Sequence, residues 1–537
     1  MKSSSRMFGL VSLSATALFA MVATSLGDFG ELRFKLAPGA PDYDPLQTVD
    51  FGGDLGLSGN LLIAGAEDDG TFAAEAGSAW VYNIETGSRM FWVDTEDPLQ
   101  MSDALGESVA ISSAGYAAAG ADGRQSKTGV VYVFDTNTGQ QLHALMADDA
   151  GENQEFGQSA AFDGSTLAIG AEDANGGIGK IYLFNAATGE QLRTMTVEDT
   201  EIEEIGETID FRDGLIVSGS NNDAAFLFNA NTGDLLHKLT VEGGADGLGT
   251  SVAVNGNLVA VGADNVDDKR GAVYLYDAST GEMIKKVQAP DGEADHEFGK
   301  SVSLDGTSML VGAPDIGAVY MFDIVSGHLL RKWESPSSED IGYGDMVKIS
   351  GDNAVFGAPS DATLYDDLES FTGAAYVFDV GLADLADVDN DGATTAADLD
   401  AIAAAIRNGT TDASVDMNGD GTTDATDHLI WVEALNHTFL GDSNLDGEFN
   451  SSDLVTIFRA AEYEDDVDGN STWAEGDWNG DGDFNTSDLV AAFASGGFEQ
   501  GPRSGPAVAT VPEPCGIAGA LAVLFLGTLI GRCRRMT

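Results

Sequence analysis

Residues 298–333, FGKSVSLDGTSMLVGAPDIGAVYMFDIVSGHLLRKW, read as four short strands. Apolar and polar residues alternate through Leu304, and Asp305-Gly306 turns the chain into Ser308–Val311, residues 308–311. Gly312-Ala313-Pro314 breaks that run, and a third begins at Ala318 and ends at Phe322. A polar turn from Asp323 to Gly327 leads into a fourth run ending at Trp333. Alternation at period two with Gly, Asp and Ser punctuation is the pattern of half-buried antiparallel strands.

The pattern occurs seven times. The opening dipeptides are Phe51-Gly52, Leu105-Gly106, Phe156-Gly157, Ile205-Gly206, Leu248-Gly249, Phe298-Gly299 and Ile341-Gly342. Second strands end at Gly65-Ala66, Gly120-Ala121, Gly170-Ala171, Gly219-Ser220, Gly262-Ala263, Gly312-Ala313 and Gly357-Ala358. Third strands read AWVYN, VYVFD, IYLFN, AFLFN, VYLYD, VYMFD and AYVFD. A repeat of four strands over about 40–50 residues is a propeller blade, because one small sheet cannot bury both faces alone. The seventh copy stops at Asp379-Val380 without a fourth strand, while residues 30–36, GELRFKL, align with residues 189–193, GEQLR. The sequence therefore predicts a mainly β fold: a seven-bladed propeller over residues 28–380, closed by an N-terminal strand that removes two exposed sheet edges.

These dipeptides resemble the FG-GAP repeats of integrin α-chain propellers and of bacterial surface proteins. Gly-Ala-Pro at 312–314 and 357–359 makes the fullest match. The resemblance implies a recognition or adhesion head. The family often places an Asp-rich calcium loop between the first and second strands, whereas here those links are short, as in Ser58-Gly59-Asn60 and Asp163-Gly164-Ser165.

The formal net charge is −63, from 88 acidic and 25 basic residues. Such a chain has no basic patch to neutralise phosphates, which argues against nucleic acid and anionic membrane surfaces as partners and suits cations. Residues 1–27, with Lys2 and Arg6 ahead of an apolar run, read as a secretory signal peptide. The two cysteines, Cys515 and Cys533, form no disulfide framework. A linker, 499–510, precedes Val511-Pro512-Glu513-Pro514, an apolar run over 516–531 and Arg532, Arg534 and Arg535. The order of Pro-Glu-Pro, apolar helix and arginines over 511–537 resembles the PEP C-terminal sorting signals of exopolysaccharide-producing Gram-negative bacteria. That resemblance implies an exosortase-type processing enzyme, a transmembrane helix at least transiently in the membrane, and delivery to the cell surface or extracellular matrix.

Between propeller and tail lie four acidic loops. The first supplies Asp387, Asp389, Asp391, Thr395 and Asp398; the second Asp416, Asn418, Asp420, Asp424 and Asp427. The third supplies Asp442, Asn444, Asp446, Asn450 and Asp453; the fourth Asp477, Asn479, Asp481, Asn485 and Asp488. Oxygens at loop positions 1, 3, 5 and 12, with Gly at 6, converge on a hard cation as in an EF-hand loop, so calcium is the expected ligand. Asp at position 12 and a helix only after each loop resemble dockerin modules. Two pairs follow, 381–439 and 440–498, and a cohesin-like protein is the partner the resemblance implies.

His143, His237 and His328 fall at near-equivalent repeat positions and are expected to be structural. No Gly-x-Ser-x-Gly, His-Glu-x-x-His or phosphate-cradling motif is present. The acidic links before each opening dipeptide, and the links between second and third strands, are the expected recognition loops. The reading that follows is a non-enzymatic, exported calcium-binding protein whose propeller recognises an extracellular protein or polysaccharide. The alternative is a polysaccharide-degrading or polysaccharide-associated component bearing dockerin-like modules.

Overall fold

A computed structural model describes residues 30–37, 49–70, 73–198, 204–221, 223–336, 342–365, 368–371, 373–389, 393–410 and 414–503. Seven four-stranded antiparallel sheets stand around a central channel. Blade 6 is typical, with strands Ser301–Asp305, Ser308–Ala313, Ala318–Asp323 and Leu329–Glu334. In blade 7, Val347–Ser350, Asn353–Ala358 and Ala374–Asp379 pair in turn, and the N-terminal strand Leu32–Leu36 adds to the last of them. The expected closure is formed. Gly30 N–H donates to Asp379 O, as Gly281 N–H donates to Asp277 O in blade 5, so the chain's first described residue stands where other blades have their third turn.

Except in blade 5, where a strand runs Leu248–Asn255, the opening dipeptide is not the start of a strand. Gly299 has φ +99°. Phe298 bridges to Gly271 of the preceding blade, and the first strand of blade 6 begins only at Ser301. Phe298 packs edge-on against Tyr320 and Phe322 at 5.4 and 6.0 Å, placing an aromatic plug under the link. In blade 7 this role falls to Tyr343-Gly344, not to the expected Ile341-Gly342. Gly344 N–H reaches Gly357 O at 2.9 Å, as Gly299 N–H reaches Gly312 O at 3.0 Å, and Tyr343 packs on Phe356 and Tyr376. Hydropathy alternation allows both dipeptides; only the aromatic contact fixes the register.

The glycine that ends each second strand is fixed by the neighbouring blade. A Cβ on Gly312 would stand 1.9 Å from Gly344 O, and the seven equivalent glycines all meet the next blade's carbonyl at 1.9 to 2.2 Å. Hydroxyls reinforce the same contact: Ser108, Ser159, Ser251 and Ser301 donate to Gly157, Gly206, Gly299 and Gly344 carbonyls at 2.6 to 2.8 Å. At the opposite end, Asp163, Asp213 and Asp305 accept backbone N–H groups of Gly214, Gly256 and Gly351 in the following blade. The ring is thus stitched at both ends of its inner strands.

His143 and His237 lie over Gly189 and Gly281 of the next blade, each 3.3 Å from a turn carbonyl. Phe34, Phe91, Arg193, Lys285 and Arg331 cover the equivalent glycines elsewhere, so a structural role explains these two histidines. His328 is different. It precedes its strand and meets Glu433 of the C-terminal region at 3.2 Å.

Residues 382–503 form a helical unit built on helices Ala396–Asn408, Ala425–Ile430, Ser451–Ala460 and Thr486–Ala494. One apolar core runs from Val319, Phe356 and Phe378 in blades 6 and 7 through Leu385 and Trp431 to Trp473 and Trp478. The two loop pairs share this core: Trp473 Nε1 donates to Asp442 O, and its ring lies 5.6 Å from His428. Among the described residues no helix is long and apolar enough to cross a membrane. The expected signal peptide and sorting tail lie outside the described residues.

Two substitutions separate the blade contact from ordinary turn strain. Gly312→Ala must displace the Gly344 carbonyl and is expected to destabilise by about 3 kcal/mol or more, as overpacking in a rigid core does. Gly306→Ala, with φ +56° and open space around it, should cost about 1 kcal/mol, the ordinary strain of that backbone region. Urea denaturation of the two variants measures the difference; equal losses would refute the packing argument.

Candidate functional site

The acidic loops take the same form wherever they are described. Position 9, occupied by Thr395, Asp424, Asn450 and Asn485, caps the helix that follows, and position 12 returns a carboxylate to the backbone of position 9 in a capping box. The carboxylate at position 12 also accepts N–H groups from the loop's start: Asp398 from Asp389, Asp427 from Met417, Asp453 from Ser443, and Asp488 from Trp478 and Asn479. Position 1 receives the N–H of the position-6 glycine, as Gly421 to Asp416, Gly447 to Asp442 and Gly482 to Asp477. Each loop is therefore wound around two inward carboxylates.

Asp387, Asp389 and Asp398 bring ligand oxygens within 4.8 Å of one another, and so do Asp477, Asp481 and Asp488. In the second and third loops the position-3 amides bond the position-5 carboxylates, Asn418 to Asp420 at 3.1 Å and Asn444 to Asp446 at 3.0 Å. Asp391 lies outside the described residues. Burial pushes Asp427 up to about 6 and Asp477, with Asp488 beside it, up to about 7. Asp477 Oδ1 is buried and has no hydrogen-bond partner. Buried carboxylates crowded together, one with an oxygen left over, form a donor set that fits a hard divalent cation.

The second candidate surface is one rim of the ring. Antiparallel order places the links between blades and the loops between second and third strands at the same end. In blades 2, 3 and 5 these loops contain a left-handed turn: Gln125, Ser126 and Lys127 have φ of 54, 62 and 59°, and Asp267, Asp268 and Lys269 have 57, 58 and 60°. The turn's carbonyls hold the neighbouring link, through Glu155 N–H on Lys127 O at 2.9 Å and Glu297 N–H on Lys269 O at 2.8 Å. Lys127 pairs with Glu155, and Lys269 with Glu297 at 2.6 Å. In blade 7 the loop carries its own hairpin, Ala362–Tyr365 with Leu368–Phe371.

Carboxylates crowd this rim. Burial, then Asp68, Asp50 and Asp122, pushes Glu67 up to about 7. Burial, then Glu155 and Glu207, pushes Glu172 up to about 8. The channel behind the rim, about 310 Å³, is lined by first strands of all seven blades and contains Arg212 and Lys348. Arg212 reaches across to Asp305 at 2.7 Å.

Residues 140–184 and 283–322 match the FG-GAP repeat family. Each match covers a fourth strand, the link, and the next three strands. The propeller core therefore carries FG-GAP repeats. Among solved structures, the computationally designed Ika8 protein is similar at 21% identity and a TM-score of 0.42, over 62% of this chain and 96% of that one. U3-55K is similar at 14% identity and a TM-score of 0.47, over 66% of this chain and 100% of that one. No curated protein matches the chain.

Sequence reasoning missed the arginines beside the loops. Arg407 Nη1 donates to Gly480 O at 2.9 Å, and Arg331 of blade 6 packs on Gly419. The available signal was Gly at loop position 4, present in the second and fourth loops alone.

The rim makes a pH prediction. Glu172 holds its proton more tightly folded than unfolded, so its ionisation opposes folding: the penalty is absent below its ordinary value of 4.5 and grows as pH rises towards about 8. Glu172→Gln is expected to raise the melting temperature at pH 8.5 and leave it unchanged near pH 4.5. An equal shift at both pH values in scanning calorimetry would contradict the crowding of Glu155, Glu172 and Glu207.

Proposed function

We propose that this is a non-enzymatic, exported, calcium-binding protein whose propeller is a recognition head for an extracellular protein or polysaccharide. The observation that carries the reading is the loop-bearing rim: variable loops are clamped to acidic links on a ring whose blades cannot slide. Rigid scaffolds that present variable loops are suited to recognition. FG-GAP repeats favour a place outside the cell, in keeping with the sequence signals at both ends. The tail is proposed to be processed by an exosortase-type enzyme after delivery.

Calcium is the cation that the four loops suit best, by their oxygen donors and their wound geometry. When bound it would neutralise the inward carboxylates and tie each loop to the helix behind it. The residues to hold it are Asp387, Asp389, Asp391 and Asp398 in the first loop, with the corresponding positions in the other three. Because the apolar core joins this unit to blades 6 and 7, the loops brace the ring as well as themselves.

A second reading, a docking subunit of a polysaccharide-degrading assembly, is favoured by one observation. Val455 and Phe458, and Val490 and Phe493 at the matching positions of the next helix, are exposed apolar side chains. The counterparts of Phe458 and Phe493 in the first pair, Ala403 and Val432, are buried. An apolar face of this kind suits a cohesin-like protein.

Thermal melts of the intact chain, with calcium and with chelator, test the cation: calcium should raise both the melting temperature and the far-UV helical signal, and unchanged melts would remove it from the proposal. Capture from envelope and exopolysaccharide extracts tests the head. Charge reversal at Glu152 and Glu293 on the rim should abolish capture, while Val455→Asp with Phe458→Ser should not. The opposite pattern would establish the docking subunit instead.

A further inference from the structure

The four loops are not electrostatically equivalent. Arg407, near the end of the helix that follows the first loop, reaches the fourth. Its Nη1 lies 2.9 Å from Gly480 O and 3.4 Å from Asp477 Oδ2, where Asp477 is the first ligand position. The guanidinium approaches from outside and leaves Asp477 Oδ1 unpartnered and Asp477 only 4% exposed. Asp477 also offers a carboxylate oxygen to the group with Asp481 and Asp488. The fourth loop therefore holds a fixed positive charge against one oxygen of a carboxylate whose other oxygen is free for a cation.

A different arginine packs beside the second loop, through its side-chain stem. Gly419, at the same loop position as Gly480, has φ +69°, and a Cβ there would stand 3.2 Å from Arg331 Cδ. Burial depresses the half-buried Arg331, and Asp416, the first ligand position of that loop, acts against that shift. Gly480 has φ +78°. The third loop has Leu445 at this position, and Arg503, whose backbone N–H donates to Gly447 O of that loop, has its guanidinium on Thr438 O and Glu433 instead. Among the loops whose fourth position is described, glycine there thus marks the two that an arginine packs against.

Resting on the calcium reading, we propose that Arg407 and Arg331 are resident counter-charges of the fourth and second loops, which stabilise the ion-free loops and lower their calcium affinity. A cation entering the fourth loop must sit beside Arg407, and two positive charges a few ångströms apart repel. Without the ion, the same arginine offsets the repulsion among Asp477, Asp481 and Asp488. The loops then fill in two classes, with the second and fourth filling at higher calcium concentration. Because Arg331 belongs to blade 6 and Arg407 to the helix behind the first loop, the late sites report on the docking of their neighbours.

Terbium is a suitable probe, because Trp478 occupies the second position of the fourth loop and sensitises its luminescence. Trp473 lies against the third loop and Trp478 also packs on Phe449 of that loop at 5.6 Å, so the component lost in both Trp478→Phe and Asp481→Ala is assigned to the fourth. Terbium titration and calcium displacement on the intact chain are expected to show about tenfold tighter binding at that loop in Arg407→Gln than in the parent. Arg407→Lys, which keeps the charge, should bind like the parent, and the Arg407→Gln gain should shrink in 1 M salt as screening removes it. Melting curves of the ion-free chains give a second readout: Arg407→Gln should melt lower without calcium and approach the parent when saturated. Equal or weaker binding by Arg407→Gln overturns the inference and leaves the calcium reading standing. No terbium or calcium binding by either chain overturns both.

Discussion

The contact on which the whole ring depends is a backbone approach too close for any side chain. The α-carbon of one glycine lies against the carbonyl of another in the next blade, and the pair recurs at every blade boundary. Apolar packing can hold two twisted sheets together at many small offsets, because dispersion is non-directional. A glycine against a carbonyl allows one. The Ser hydroxyls that donate to those same carbonyls supply direction, and a buried apolar plug under each link, aromatic in four of the seven blades, fills the space that the twist opens. The two halves of the FG-GAP pattern are therefore one interaction written on adjacent blades.

That constraint explains where freedom is left. The inner strands are fixed at both ends, so variation is confined to the links and to the loops between second and third strands, all at one end of the ring. The helical unit packs beside the turn that precedes the fourth strand of blade 6, away from that end, where His328 meets Glu433. The rim loops and the acidic loops thus occupy different parts of the molecule, while the unit that bears the acidic loops shares apolar core with blades 6 and 7. Carboxylate crowding marks both regions, for different reasons: in the loops the oxygens converge, and on the rim they face one another across blade boundaries.

Repeat number, strand order and the closing strand were legible because each follows from local alternation and turn chemistry. The acidic loops were legible because ligand spacing is itself local. What was not legible needed a partner distant in sequence. Ile341-Gly342 and Tyr343-Gly344 satisfy the same pattern, and the choice lies with Phe356 and Tyr376. The late start of the first strand in six of the seven blades goes with a glycine at positive φ, which hydropathy does not encode. His328 resembled His143 and His237 in a strand count, yet it belongs to a turn and to another unit. The shared core of the loop pairs rests on Trp473 and Trp478, which stand in an otherwise polar stretch.

The closing blade gives the molecule a test of its own completeness. Arg33 pairs with Asp379 across 346 residues of chain, so the first strand made waits for nearly the last before it has a partner. Seven blades assembled in order remain an open arc with two raw edges until that pairing forms, and an open arc is free to breathe at every boundary. Closure converts local steric rules into a circular lock, since no blade boundary can then widen without another narrowing. A chain that ends early, for whatever reason, keeps its edges and its looseness, and is recognisable as unfinished by any process that reads exposed strands.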